Sequence, residues 1–486
     1  MLPGLTQANG DGDVLETTRE FKVGFDAKYG ITSNLIADIT YNTDFAQVEA
    51  DQEQVNLTRF SLFFPEKRPF FLEGAGLFDF GVPRSSFRRP PPMLLFYSRR
   101  IGLAEGKAIP IIFGGKATGK VGSYGVGILN VLTNEFYTAA TEDDDAVDIP
   151  RTNYSVMRIT RDVAAGSRIG LIAVNKDEIG DYNRAGGVDF EYRPSNNLDV
   201  RGMWSRTFEQ GMSGRNNAWY LGTRWRNDIF RASGSYTDID EDFNPAVGYV
   251  RQSGIRRVQG EFRWAPRPQK YGIREIYSGP EVDIILNQDN ELEQWDVNYT
   301  QWFSLSTGDS ILFYAKREFE RLDEDFEIRD GVIIPIGDYQ FSGFGGRIST
   351  SDTRAFNTTT GFEFGNFYSG ELRKFYIHMT LKPTSRMSLE TFYQFNRVNL
   401  PAGNFDANLF TSRFNYSFST SLFAKLFAQW NTESQVVSTN FLINYIYRPG
   451  SDFYFVFNQT YDTDRTTKSA LLDSTVVGKF TYWWNP

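Results

Sequence analysis

The sequence predicts an all-β protein: a transmembrane antiparallel outer-membrane β-barrel of about 24–26 strands, with an inserted lumenal or rim loop near residues 43–92. Three observations carry this. Apolar and polar residues alternate with period two along nearly the whole chain. No run of roughly 18 apolar residues occurs, so a transmembrane helix is not expected. Short turns and long loops take turns as connections, as they do between the two rims of such a barrel.

The alternation is read directly from the residues. Phe21, Val23, Phe25, Ala27 and Tyr29 fall on one face, Lys22, Gly24, Asp26 and Lys28 on the other. A strand sends successive side chains to opposite faces, so this is a strand between an apolar and a wet environment. Leu35, Ala37, Ile39 and Tyr41 repeat the pattern, with Ile36 out of phase. Trp295, Val297, Tyr299 and Phe303 repeat it mid-chain, and Phe441, Ile443, Tyr445 and Tyr447 near the end. Strands are expected near 18–28, 32–42, 55–63, 93–101, 109–121 and 123–134, and regularly thereafter to 472–484. Sharing 486 residues among 26 strands leaves about 19 for each strand with its connection, against about 9–11 for a tilted spanning strand. Pro383-Thr384-Ser385 and Pro449-Gly450-Ser451 carry turn chemistry. Long connections are expected at 135–151, 176–184, 208–216, 239–256, 320–335, 399–407 and 462–470. A propeller would show a blade repeat and a string of sandwiches would show linkers. Neither is visible, and residues 1–486 read as one barrel domain.

Composition narrows the chemistry. The chain has no cysteine, one histidine (His378), 16% aromatic residues and a formal charge of −9. Thiolate metal sites and disulfides are therefore excluded, and a catalytic triad would have to use His378. His378 alternates with Tyr376 and Thr380 and is expected on the hydrated lumen wall. Net acidity argues against wrapping nucleic acid. The acidic stretches Glu142-Asp143-Asp144-Asp145 and Asp323-Glu324-Asp325 read as solvated loop charge.

The candidate site is the segment 43–92. In Phe63-Phe64-Pro65-Glu66-Lys67-Arg68-Pro69-Phe70-Phe71-Leu72-Glu73-Gly74, two prolines bar a central strand. A loop folded into the lumen would act as a plug or constriction. Its charges Glu66, Lys67, Arg68 and Glu73 would then pair with inward groups such as Lys22, Asp26, Arg99 and Arg100, because buried charges need partners. Opposite charges this close suit structural ion pairs rather than a general acid, so Glu49, Asp51, Glu53, Glu66 and Glu73 are not expected to catalyse. At the C-terminus, Phe480, Tyr482 and Trp484 form an aromatic final strand similar to the signal read by the barrel-assembly machinery.

The same segment carries a resemblance. Asp44-Phe45-Ala46-Gln47-Val48-Glu49-Ala50-Asp51 and the Phe63–Gly74 motif are similar to those of an uncharacterised family of bacterial outer-membrane barrels. So, in order, are Phe96-Tyr97-Ser98-Arg99-Arg100-Ile101-Gly102, Gly119-Lys120-Val121-Gly122 and Asp242-Phe243-Asn244-Pro245-Ala246-Val247-Gly248-Tyr249-Val250-Arg251. In that family the barrel usually follows a domain similar to family-9 carbohydrate-binding modules, and no such domain is seen ahead of residue 1 here. The resemblance implies no established activity.

The expected function is a large outer-membrane channel or translocation pore for solutes or polymers, gated by the 43–92 loop. The alternatives are a barrel scaffold that anchors or encloses a partner protein, and a carboxylate-based barrel enzyme acting on glycan. No enzyme activity, cofactor or metal is expected. The expected partners are outer-membrane lipid, the barrel-assembly machinery and a protein at or in the lumen, with a glycan as a further class and nucleic acid excluded. The expected location is the bacterial outer membrane, with the long loops extracellular.

Overall fold

The period-two segments form long strands, from Leu35–Tyr41 with 7 residues to Ile273–Asn287 with 15. The structure is a computed structural model. It describes the chain apart from residues 1, 10–14, 44–50, 83–89, 105–106, 139–146, 165, 213, 464–470 and 484–486.

Twenty-five extended segments bond edge to edge into one sheet, and the first, Leu2–Asn9, pairs antiparallel with the last, Leu471–Phe480. The sheet closes on itself. A ring of antiparallel neighbours must hold an even number of strands, and twenty-five is odd. The discrepancy lies at residues 21–24. Leu15–Glu20 pairs with Leu2–Asn9, while Phe25–Thr32 pairs with Leu35–Tyr41. The two segments are one strand with a four-residue interruption, which leaves a barrel of twenty-four strands. Their order round the ring follows the chain.

Two expected strands are absent from the wall, and one unexpected strand takes part. Residues 55–63 form no strand: they bend at 58–60, and Asn56 folds a local turn by accepting the Thr58 amide at 3.1 Å. Of residues 93–101, only Met93–Leu94 is strand, pairing with Tyr249–Val250 away from the barrel. Both stretches belong to an insert that runs from residue 42 to residue 110, longer than the expected 43–92. Their apolar residues serve cores inside the barrel instead, with Met93, Leu95 and Ile101 in one and Leu57 against another. The unexpected strand is Leu2–Asn9.

The short turns lie on one rim, for example 33–34, 122–123, 385–386 and 449–450. The insert and the connections 134–152, 240–254 and 323–336 lie on the other. Two expected long loops are two-residue turns, at 179–180 and 401–402. There the ladders continue to Glu178 opposite Asp181 and Leu400 opposite Gly403.

The two faces of the wall differ. Tyr29, Trp219, Phe313, Phe344 and Phe375 point outward and are exposed. An outer surface of this kind suits lipid rather than water. Inward, the wall between residues 124 and 285 is partly apolar. Leu129, Val131, Val156, Ile172 and Val174 are buried with Phe71, Phe78, Phe80, Val82, Met93, Leu95 and Ile101 of the insert. Phe243 and Val247 of the 240–254 loop join the same core. A second core gathers Ile328, Val332 and Ile334 of the 323–336 connection against inward-facing Leu322, Phe341, Val398 and Leu400.

Candidate functional site in the barrel lumen

The insert enters and leaves at neighbouring strands, since the Asn42 amide donates to the Ile112 carbonyl at 2.8 Å. Between those points it crosses the interior. Lys116, on the fourth strand, donates to the carbonyls of Phe70 at 2.6 Å and Glu73 at 2.8 Å. Arg59 pairs with Glu320, on the fifteenth strand, at 3.1 Å. Gln429, on the twenty-first, accepts from the Glu53 amide at 3.0 Å and donates to the Asp51 carbonyl at 3.1 Å. A segment tied to three such places on a closed ring lies inside it.

Its strongest polar anchor is the Arg158–Asp189 pair. The guanidinium meets the carboxylate with two bonds of 2.7 Å, and the Arg158 side chain is 1% exposed. Each partner also holds the insert. Arg158 Nε donates to the Asp79 carbonyl at 3.1 Å, and Asp189 accepts from the Gly81 amide at 3.0 Å. Charge-assisted, two-pronged bonds of this kind are the strong ones.

Glycines in the wall seat the insert's rings. A Cβ on Gly127 would lie 3.0 Å from the Phe78 ring, one on Gly114 3.0 Å from Phe70, and one on Gly187 2.7 Å from Phe80. Their role is close approach.

The structure places the predicted charges mostly within the insert. Glu66 and Arg68 form a two-bond pair of 2.9 and 2.7 Å, and both are buried. Arg68 also gathers the carbonyls of Ile101 at 2.6 Å and Ser98 at 2.8 Å, and the Ser98 hydroxyl donates to Glu66 at 2.7 Å. Burial pushes the Glu66 carboxyl up, but the Arg68 guanidinium and these donors outweigh it and hold the group below its usual range. Burial pushes the neighbouring Tyr97 phenol up to about 12, and its hydroxyl donates to the Phe64 carbonyl. Arg99 pairs with Asp51, and Lys67 approaches Asp51 at 3.5 Å. Arg100 donates to the Gly248 carbonyl at 3.3 Å. Arg99 and Arg100 are thus part of the insert and not of the wall, contrary to expectation, because residues 98–100 form a 3-10 turn inside the lumen. Glu73 does reach the wall and pairs with Lys28. Asp26 faces inward but accepts from Thr40 at 2.5 Å. Lys22 lies exposed in the strand interruption. Sequence reasoning did not single out Lys116, Arg158 or Asp189. Their only signal is a charge on the inward face of an otherwise apolar stretch.

Between the insert and the wall of residues 251–396 remains a cavity of about 830 Å³. The insert lines it with Leu57, Phe60, Phe63, Phe96 and Tyr97. Its wall is charged and ordered. Lys316 lies 3.0 Å from Glu318 and 2.8 Å from Glu363, which also accepts from Tyr314 at 2.9 Å. Arg257 meets Asp283 with bonds of 2.8 and 2.5 Å. Tyr368 donates to Glu320 at 3.1 Å. Among the described residues, no cluster of His, Asp or Glu forms a metal site. His378 shares the inward face with Lys374 of the cavity wall, as its alternation predicts. Phe480 ends the last strand and stacks on Tyr447 at 5.1 Å, and Arg448 donates to the Tyr482 hydroxyl at 3.3 Å. Trp484 and the acidic stretch 142–145 lie outside the described residues.

These features define a class: a large antiparallel β-barrel whose interior is occupied by a folded segment of its own chain. Within that class, the chain belongs to the family described as a domain of unknown function, DUF5916, whose profile matches residues 4–444. No carbohydrate-binding domain appears in that match. No curated protein matches the chain. Among solved structures, OpdK of Pseudomonas aeruginosa with vanillate is 11% identical, with 63% of this chain and 93% of that one covered at a TM-score of 0.40. The siderophore receptor PiuA of Acinetobacter baumannii is 8% identical, with 76% and 79% covered at a TM-score of 0.45. The ferric-catecholate import receptor Fiu of E. coli K12 is 8% identical, with 76% and 79% covered at 0.37. Likenesses this loose concern architecture and carry no function across.

Proposed function

We propose that the protein is an outer-membrane channel with a built-in constriction, admitting small polar solutes through the chamber beside the insert. The observation that carries the reading is the pairing of an apolar, outward-facing barrel surface with a charged chamber of about 830 Å³ inside it, within the ~300–1,000 Å³ range of small-molecule sites. The insert is a plug in this reading, and its apolar core makes it a fixed one. The wide-open pore and the freely swinging gate both lose ground. Outer-membrane lipid covers the aromatic exterior, the long-loop rim faces outside the cell, and the C-terminal aromatics serve assembly.

An enzymatic role is not proposed. Asp51, Glu53, Glu66 and Glu73 each have a bonded cationic or amide partner, which suits anchoring better than proton transfer. The scaffold reading keeps one specific support: an insert fastened by an apolar core suits a barrel that passes nothing and displays its loops to a partner.

Single-channel conductance in a planar bilayer separates these readings. The intact chain is compared with a variant in which a short glycine-serine linker joins residues 43 and 109. That excision is feasible because the strands flanking the insert are already bonded at Asn42 and Ile112. Small, steady currents that become large on excision support the constricted channel. Large currents in the intact protein overturn the plug. Silence in the intact protein with large currents after excision favours the scaffold.

A further inference from the structure

The mouth of the lumen at the short-turn rim carries a second feature, unrelated to the insert. Arg226, Arg231 and Arg263 stand side by side on three adjacent strands. Arg226 is directly opposite Arg231, and Arg231 directly opposite Arg263. Like charges placed opposite one another weaken a sheet. All three are on the inward face. Arg226 is in phase with buried Ala218, Arg231 with buried Ile239, and Arg263 with buried Ile255. The alternating outward positions at this level hold the exposed aromatics Trp225, Phe230 and Trp264. Arg224 adds a fourth guanidinium one step further in.

The carboxylates nearby are mostly engaged with other partners: Glu275 pairs with Arg267 at 3.1 Å and accepts from Tyr277 at 2.8 Å, while Asp228 sits in the turn between Arg226 and Arg231. Asp199 lies 3.9 Å from Arg224 but is already bonded to Arg193 at 3.0 Å and Arg201 at 2.9 Å. Glu261 pairs with Arg263. Arg226 and Arg231 are exposed to the lumen, with planar donor forks suited to two-pronged bonds with phosphate or carboxylate.

We propose that this arginine ledge is an anion-binding site at the short-turn mouth, which takes a soluble phosphate- or carboxylate-bearing solute. The inward direction of the side chains separates it from a lipid headgroup site, which would need them on the aromatic outer face. The proposal does not depend on whether the barrel conducts.

The test is calorimetric titration of inorganic tripolyphosphate into the full chain, held in phosphatidylcholine nanodiscs. Saturable binding is expected, weakened at least tenfold in the triple variant R226Q/R231Q/R263Q, with a shallower dependence on salt. A control triple on or near the long-loop rim, R321Q/R373Q/R397Q, is expected to bind like the parent. Migration as a folded, heat-modifiable barrel certifies both variants. The proposal is overturned if the parent shows no saturable binding, or if the ledge variant binds as tightly as the parent. Discs doped with phosphatidylglycerol distinguish the source. Unchanged tripolyphosphate affinity supports a soluble anion, and loss of it assigns the ledge to headgroups and overturns the soluble-anion reading.

Discussion

Replacing Asp189 with asparagine keeps the shape of the Arg158 clamp and removes its charge. Arg158 would then be a buried cation without its counter-ion, a change that costs about 3–5 kcal/mol in comparable pairs. That cost falls on the insert, because the same two side chains hold the Asp79 carbonyl and the Gly81 amide. The apolar adhesion sets the scale. Seven insert side chains (Phe71, Phe78, Phe80, Val82, Met93, Leu95 and Ile101) are each at most 8% exposed. At about 1.5–3 kcal/mol for each buried side chain, they contribute roughly 10–20 kcal/mol. Even halved to allow for a compact unfolded reference, this exceeds the loss at the clamp. Asp189→Asn is therefore expected to leave the insert seated and the conductance unchanged, while making it easier to open. Hydrogen exchange measures this directly. With tenfold for each ~1.4 kcal/mol, insert amides near Gly81 should exchange roughly 100- to 4,000-fold faster, and amides of distant strands such as Val436–Arg448 should not change. Full conductance in this variant would show that the apolar core does not hold the insert, and the fixed-plug reasoning would fail. Unchanged exchange would show that the clamp contributes nothing.

Four further outcomes are expected. Gly127→Ala presses a methyl against the Phe78 ring and should destabilise the insert by about 1–3 kcal/mol, with Phe78→Leu in the same chain restoring most of the loss in thermal unfolding. Lys116→Met removes the donor to the Phe70 and Glu73 carbonyls and should raise exchange of the Phe70–Glu73 amides without altering barrel migration on gels. The Glu66 carboxyl titrates below its usual range, so its stabilisation is complete above the unfolded value of about 4.3 and is lost as pH falls through the folded value; insert protection should drop in acid, and Glu66→Gln should flatten that pH dependence. Removing residues 480–486 should reduce folded barrel yield in cells while the same chain still refolds in detergent, read by heat-modifiable migration.

The wall was legible because a two-residue period survives translation into a barrel almost unchanged. From Ile111–Val121 to Leu471–Phe480, the strands lie where alternation puts them. The interior was less legible for a definite reason. Residues 55–63 and 93–101 are as rich in apolar and aromatic side chains as the wall strands, but those side chains fill cores inside the barrel, so composition cannot separate them from wall strands. The prolines at 65 and 69 marked the insert, and Glu66 and Arg68 were recognisable as charges in need of partners. That they would satisfy each other, and that Arg99 would turn to Asp51, depends on a 3-10 turn at Ser98–Arg100 with no local signature. Lys116, Arg158 and Asp189 were hidden for the opposite reason: a single charge in a strand looks like any other lumen residue until its partner, thirty-one positions away, is brought beside it.

The buried clamp also bears on how the wall is built. Strands usually know which face is inside because only one face is apolar, and a slip of one residue exchanges the two. Between residues 124 and 178 that instruction is blurred. Leu129, Val131, Val156 and Ile172 point inward, while Ile128, Ile159, Ile169 and Leu171 point outward. Hydrophobicity alone would tolerate either alignment. Arg158 does not: a slip of Asn153–Ala164 by one position would aim its guanidinium into the hydrocarbon, at about 2–4 kcal/mol near mid-bilayer, and would also forfeit its pairing with Asp189. One buried arginine thereby acts as a register mark during assembly and tells two-sided strands which way is in.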